Sequence, residues 1–354
     1  MRVLLTGAAG FIGGAIDRAL TADGHEVVGV DLMLANAHGG GAHGSTTPPD
    51  GVHQLDVREA GSPEWADLLR GVDVVCHQAA LVGAGVRVGD LPAYASHNDL
   101  GTAALLAAMH DADVDRLVLA SSMVVYGEGR YTCPRHGEQQ PPPRDLAALE
   151  GGDFDNHCPV CAEPLAWSLV PEDARLDPRS SYAASKLAQE HYASSWVRQA
   201  GAGAVALRYH NVYGPGMPRD TPYSGVAAMF RSSLERGERP QVFEDGGQVR
   251  DFVHVDDVAR ANVAALEQVV TESVPHYAAY NVCSGTSVTI LDVATRVAEG
   301  TGRDISPQVT GGFRVGDVRH VVASPALATE ELGFTASVDP HAGLADFATA
   351  PLRA

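Results

Sequence analysis

Apolar positions fall into two rhythms that alternate along the chain. Short, nearly continuous apolar runs occur at residues 2–6, 26–31, 52–56, 72–77, 117–121, 204–209 and 280–282. Runs of this length between turn signals predict strands buried on both faces. Residues 11–22, 99–111 and 182–199 instead carry apolar positions at helical spacing. Gly24-His25 separates the first helix from the second strand, so the chain opens with a strand–helix–strand unit. Continued alternation predicts an α/β fold: a Rossmann-type, doubly wound parallel sheet with helices on both faces.

Two stretches interrupt the rhythm. Residues 35–51, rich in Gly, His, Thr and Pro, predict a mobile surface loop. Residues 127–180 combine many prolines with a Cys/His cluster and little periodicity, which predicts an insertion. Beyond about residue 212 the pattern turns irregular, as expected of a smaller substrate-binding lobe. The expected division is a dinucleotide-binding domain over 1–210 that carries the insertion. A lobe over 211–354 follows, with about 251–285 returning to the first domain.

Composition narrows the partners. A hydrophobic fraction of 45% is ordinary for a globular protein. No apolar run reaches the roughly 18–20 residues of a membrane span. The opening Met-Arg-Val-Leu-Leu-Thr-Gly leads directly into a strand and glycine turn, not a secretion signal, which predicts a cytoplasmic protein without a membrane partner. The net charge of −19 repels nucleic acid. An anionic ligand would therefore need arginines gathered in a cleft. Five cysteines in such a chain do not suggest disulfides.

The first turn reads Gly7-Ala-Ala-Gly10-Phe11-Ile12-Gly13. Glycines here let the backbone approach a pyrophosphate, and the amides at the helix start meet its charge. Asp31 ends the second strand 18 positions after Gly13, where a carboxylate accepts from adenosine ribose hydroxyls. No arginine follows among Leu32, Met33 and Leu34, so NAD is expected rather than NADP. Asp56-Val57 is placed to read the adenine, and Ala79-Ala80 let the cofactor approach the backbone after His77.

Tyr182-Ala-Ala-Ser-Lys186 puts a phenol and an ammonium on one helix face. A phenol titrates near 10 and is a poor base at neutral pH. The lysine and a positive nicotinamide ring would favour the phenolate. Ser121-Ser122, closing an upstream strand, supplies a hydroxyl to orient a substrate oxygen.

These motifs, with Ser121-Ser-Met-Val-Val-Tyr-Gly127, Arg208-Tyr-His-Asn-Val-Tyr-Gly-Pro215, Arg250-Asp-Phe-Val-His-Val-Asp-Asp257 and Arg314-Val-Gly-Asp317, occur in order over nearly the whole chain. The sequence resembles the extended short-chain dehydrogenase/reductases of the nucleotide-sugar epimerase/dehydratase family. That resemblance implies Ser122, Tyr182 and Lys186 as the catalytic trio. It implies Asn211, Arg250, Arg314 and Asp317 around the nucleotide diphosphate and ribose of the substrate, and a homodimer built through the helices at 99–111 and 182–199. His210 departs from the family, which usually has Phe there.

Family dehydratases place an acidic pair directly after the catalytic Ser/Thr. Here those positions are Met123 and Val124, which cannot transfer protons. A reductase would usually prefer NADPH, which Asp31 opposes. The expectation is an NAD-dependent 4-epimerase. The competing readings are a UDP-hexose or UDP-uronate 4-epimerase, a reductase or dehydratase, and a non-catalytic NAD-binding regulator.

Cys133-Pro-Arg-His136 and Cys158-Pro-Val-Cys161 stand 21 residues apart within the insertion. Two such knuckles converge on one tetrahedral zinc and leave no open position, which suits a structural role. Unmetallated thiols and a redox-active pair are the alternatives. His157 is a spare ligand; His136 is preferred because its spacing mirrors the second knuckle. Lying between the Ser122 strand and the Tyr182 helix, the insertion is expected to form a lid or rim near the sugar. An insert of this kind resembles a subgroup described as dTDP-L-rhamnose 4-epimerase-like, which implies a dTDP-6-deoxyhexose substrate such as dTDP-L-rhamnose.

Overall fold

The computed structural model describes residues 1–34, 38, 47–219 and 225–353. Seven strands form one sheet: β1 (Arg2–Thr6), β2 (Glu26–Asp31), β3 (Val52–Gln54), β4 (Val74–His77), β5 (Arg116–Ser122), β6 (Gly203–Tyr209) and β7 (His276–Val282). Their order is β7-β6-β5-β4-β1-β2-β3, and every pairing is parallel.

Helices α1 (Phe11–Ala22), α2 (Gly101–Asp111), α3 (Ser181–Ala200) and α4 (Val255–Thr271) cover the two faces. Side chains alternate across the sheet. Val3 and Leu5 pack with Ile16, Leu20, Val258 and Leu266 of α1 and α4. Leu4 points the other way and packs with Leu105, Met109, Trp196 and Val197 of α2 and α3. Burial on both faces explains why the strands read as unbroken apolar runs. Truncating one such leucine to alanine costs about 2–5 kcal/mol.

Boundaries differ from expectation where polar groups intervene. β3 stops at Gln54 because the Asp56 side chain caps a short turn at Val57–Glu59. The helix expected from residue 99 begins at Gly101, after a π-helical segment Ala95–Leu100. That widened turn buries Asn98, whose amide donates to Leu81 O at 3.0 Å and Ser185 Oγ at 2.8 Å. The loop expected at 35–51 lies largely outside the described residues.

The insertion stays off the main sheet but builds its own antiparallel one, in the order Gly137–Gln139, Arg130–Cys133, Ala166–Ser168. A second lobe gathers helices Val226–Glu235, Ile290–Gly300 and Pro340–Phe347 around Tyr213, Phe230, Phe252, Val293 and Phe347. With all seven strands parallel, their carboxyl ends open on one side. The crevice lies where the order reverses between β1 and β4, facing the lobe. No helix among the described residues is long and apolar enough to cross a membrane.

Candidate active site

At the end of β1 the chain turns through Gly7, whose φ of +72° is left-handed. A Cβ on Gly7 would lie 2.8 Å from Ala79 N, and one on Gly13 would lie 2.0 Å from Gly7 O. Strand, turn and helix therefore meet backbone against backbone. Gly10 caps α1 without a side chain, and no acidic residue occupies the first turn. The opening amides of α1 keep their partial positive charge, and Phe11, Ile12 and Gly13 line the cleft. This cradle fits a diphosphate.

Asp31 lines the same cleft at the end of β2. Its carboxylate accepts from Ala9 N at 3.2 Å, Met33 N at 2.8 Å and His38 Nε2 at 3.1 Å. Asp56, Val57, Ala79 and Ala80 also border the cleft. Burial works to raise the Asp56 carboxyl, but Arg58, bonded through Nε at 2.9 Å, wins and holds it below the usual range. Beneath the cleft, Thr6 Oγ1 and Thr102 Oγ1 flank the ring of His77 at 2.7 and 3.0 Å, and burial keeps that imidazole neutral by pushing it to about 3.

β5 delivers Ser122 opposite Tyr209 in register. The Ser180 hydroxyl caps α3 by accepting from Ala183 N at 3.2 Å, which fixes the helix start one residue before Tyr182. Ser122, Tyr182 and Lys186 all line the cleft. Burial raises the Tyr182 phenol above its ordinary value, against the opposing influence of the nearby Ser122 hydroxyl. Lys186 donates to Ala120 O at 3.0 Å, and burial pushes it down to about 7, with Glu190 resisting. Burial thus outweighs the expected help from lysine: without cofactor, Tyr182 is a phenol, and its ionisation requires added positive charge. Glu190 is held behind Lys186 by Arg208, through Nε at 2.9 Å and Nη2 at 2.8 Å, and it accepts from Ser121.

Of the residues expected at the substrate end, Asn211 lines the cleft and donates to Asp251 O at 2.7 Å. Arg250, Arg314 and Asp317 do not line it. They group with one another in the second lobe. Arg250 is buried and donates to Val318 O at 2.5 Å and Arg319 O at 2.8 Å. Arg314 lies 5.2 Å over the Phe243 ring. Burial raises the Asp317 carboxyl, and Arg314 and Arg250 oppose the rise. His210, the departure from the family, is buried beside Tyr209, and burial holds it neutral at about 3.

The ligand atoms of Cys133, His136, Cys158 and Cys161 all fall within 4.8 Å of one another. Cys133 Sγ lies 3.7 Å from Cys161 Sγ, and His136 Nδ1 lies 3.5 Å from both Cys133 Sγ and Cys158 Sγ. A tetrahedron with metal–sulfur bonds of about 2.3 Å has sulfur–sulfur edges of about 3.8 Å, so the donor set and its spacing fit a closed tetrahedral site. His157 is not among these ligands.

The insertion grips the second lobe through buried charge. Arg144 bonds Glu244 at 2.8 Å and Asp317 O at 2.7 Å. Arg319 bonds Asp155 at 3.0 Å and Glu244 at 2.8 Å, and His320 N donates to Tyr131 OH at 3.0 Å.

Several cleft residues escaped sequence reasoning. Tyr209 donates to Gln78 Oε1 at 3.0 Å across the floor, and both were within reach, Tyr209 inside the quoted Arg208–Pro215 motif and Gln78 between His77 and Ala79. His38 and Arg353 border the cofactor end, and nothing in their local sequence marks them.

Comparison with known proteins agrees with this geometry. The model of the NAD dependent epimerase/dehydratase family matches residues 3–146 and 168–283, passing over the stretch with Cys158 and Cys161. The dTDP-L-rhamnose 4-epimerase of Burkholderia thailandensis is 33% identical, with 98% of this chain and 94% of that protein covered. Among solved structures, MoeE5 in complex with UDP-glucuronic acid and NAD superposes with a TM-score of 0.74 at 31% identity, covering 98% and 97% of the two chains. The Thermus thermophilus UDP-glucose 4-epimerase complex with NAD gives a TM-score of 0.71 at 30% identity, covering 98% of each.

Proposed function

The chain belongs to the NAD-dependent epimerase/dehydratase family and is an isomerase acting with NAD on a nucleotide sugar; within that family we propose a 4-epimerase of a dTDP-6-deoxyhexose, dTDP-L-rhamnose foremost. The observation that carries the reading is the meeting of Ser122, Tyr182 and Lys186 with the glycine turn in one cleft.

In this reading the Ser122 hydroxyl holds the sugar C4 oxygen and Tyr182 takes its proton. NAD, when bound, accepts the C4 hydride and supplies the positive charge that the buried phenol lacks. Lys186, lowered by burial, holds the nicotinamide ribose and regains its charge beside a phenolate. The opening amides of α1 hold the diphosphate, Asp31 the adenosine ribose, and Ala79 and Ala80 leave room for the ring. After the 4-keto sugar turns over, C4 would take the same hydride back on its opposite face while its oxygen regains the proton from Tyr182, so that C4 is restored inverted. Met123 and Val124 offer no acid or base for water elimination.

Support for the dTDP sugar comes from the full-length similarity to a dTDP-L-rhamnose 4-epimerase. A UDP-hexose or UDP-uronate is the second reading, because solved neighbours hold UDP-sugars. Arg250, Arg314 and Asp317, which lie near one another in the second lobe, are assigned to the nucleotide end of the substrate. The Cys133, His136, Cys158 and Cys161 cluster is assigned a structural zinc. Two copies are assigned to pair through α2 and α3, where Tyr192 is exposed. The test is NMR of C4 configuration after incubation with dTDP-L-rhamnose and, separately, UDP-glucose and UDP-glucuronate. Inversion of the dTDP sugar alone supports the proposal; inversion of a UDP sugar alone replaces it with the second reading.

A further inference from the structure

The cleft is short of positive charge at the end where a dianion must sit. Asp31 and Asp56 both line it there, in a chain of net charge −19. The opening of α1 contributes about half an elementary charge, which does not balance a diphosphate. Among the described residues lining the cleft, the one arginine is Arg353, about 340 positions from the glycine turn. Its Nη1 donates to Ala9 O at 2.6 Å, inside the turn and one residue before the Gly10 cap. The same Ala9 residue donates its N–H to Asp31 at 3.2 Å.

This contact is built rather than incidental. Gly216 N donates to Pro351 O at 2.7 Å, Arg219 N to Arg353 O at 3.0 Å, and Arg353 N to Met217 O at 3.1 Å. Pro218 and Arg353 form a parallel bridge. Leu352 and Phe11 both pack against the core of the second lobe. Residues 351–353 thus lie as a strap along 216–219, and Met217 and Pro218 line the cleft beside Gly10 and Phe11.

We propose that Arg353 is a cofactor-binding residue whose guanidinium, carried by this strap, holds the diphosphate of the dinucleotide. The inference rests on the reading that NAD occupies the cleft. A planar fork of five donors suits diphosphate oxygens better than a lysine ammonium would. The nucleotide sugar also carries a diphosphate; the bond to the glycine turn assigns Arg353 to the dinucleotide's.

The experiment compares the wild type with Arg353→Gln and Arg353→Lys, stripped of cofactor. NADH affinity is read by fluorescence, ADP-ribose affinity by competition, and nucleotide-sugar KM at saturating NAD. The expected result is an NADH and ADP-ribose Kd raised about tenfold or more in Arg353→Gln, partly recovered in Arg353→Lys, with KM changed far less. A Kd equal to wild type in Arg353→Gln overturns the proposal, as does a change confined to the nucleotide-sugar KM. If the wild type itself binds no NADH, the cofactor reading fails instead, so the two failures are distinct.

Discussion

The glycine turn with the Tyr182 helix and the Cys/His insertion are held in place by different physics. The first stands on a sheet packed on both faces, where Leu4, Leu5, Val118 and Leu119 are fully buried. The second has only a small apolar nucleus of Tyr131, Cys133, Cys158 and Leu165, helped by a buried charge network through Arg144, Glu244 and Arg319. A hydrophobic scaffold tolerates the loss of any one polar contact. A region with so small a nucleus depends on each of its buried ion pairs, because removing one partner leaves the other charge buried.

That division predicts separable failures, the largest in turnover. Tyr182→Phe removes the proposed base and is expected to lower kcat by about 10²–10⁴-fold while NAD affinity and zinc content stay at wild-type levels. Residual turnover near wild type would move the base elsewhere. Chelating the proposed zinc, or Cys158→Ser, acts on the other region. Hydrogen exchange should rise across residues 130–168, and the nucleotide-sugar KM should increase about tenfold as the 314–320 segment loses its support. NAD affinity should not follow; if it did, the two regions would not be separate.

Two smaller effects sharpen the picture within the scaffold. Lys186 falls to about 7 in the fold from an ordinary 10.5, so between those values the unfolded chain holds a proton that the folded one releases. Stability of the cofactor-free protein therefore gains from this group as pH rises through that window, and the penalty is fully present below about 7. From pH 7 to 8 the gain is at most about 1.4 kcal/mol. Lys186→Met should lack it, as denaturant titrations at both pH values would show. Asp31→Asn is expected to weaken NAD binding about fivefold by replacing a charged acceptor with a neutral one, measured by calorimetry. An unchanged affinity would mean that Asp31 does not hold the adenosine ribose.

The same contrast governs what could be read from sequence. Strands of the main sheet are buried on both faces, so their apolar runs were visible and β1, β2 and β6 fall within a residue of expectation. Caps and glycine turns act locally, which made α1 and the start of α3 legible. The short strands of the insertion were not, because three or four residues with mixed burial carry no period. The clustering of Cys133, His136, Cys158 and Cys161 was legible because metal chemistry restricts both residue type and spacing. Contacts bridging great sequence distance left no trace: Arg353 to Ala9, Arg144 to Asp317 and Asn98 to Ser185 depend on tertiary placement alone.

The most direct test of the whole account follows the hydrogen on C4. With dTDP-L-rhamnose deuterated at that carbon and the enzyme in ordinary water, NMR should show C4 inverted with the deuterium retained. The label leaves with the hydride and returns without entering solvent, while Tyr182 handles only the hydroxyl proton. Inverted product that has lost its deuterium to water would contradict the account, because the C4 hydrogen would then have left as a proton.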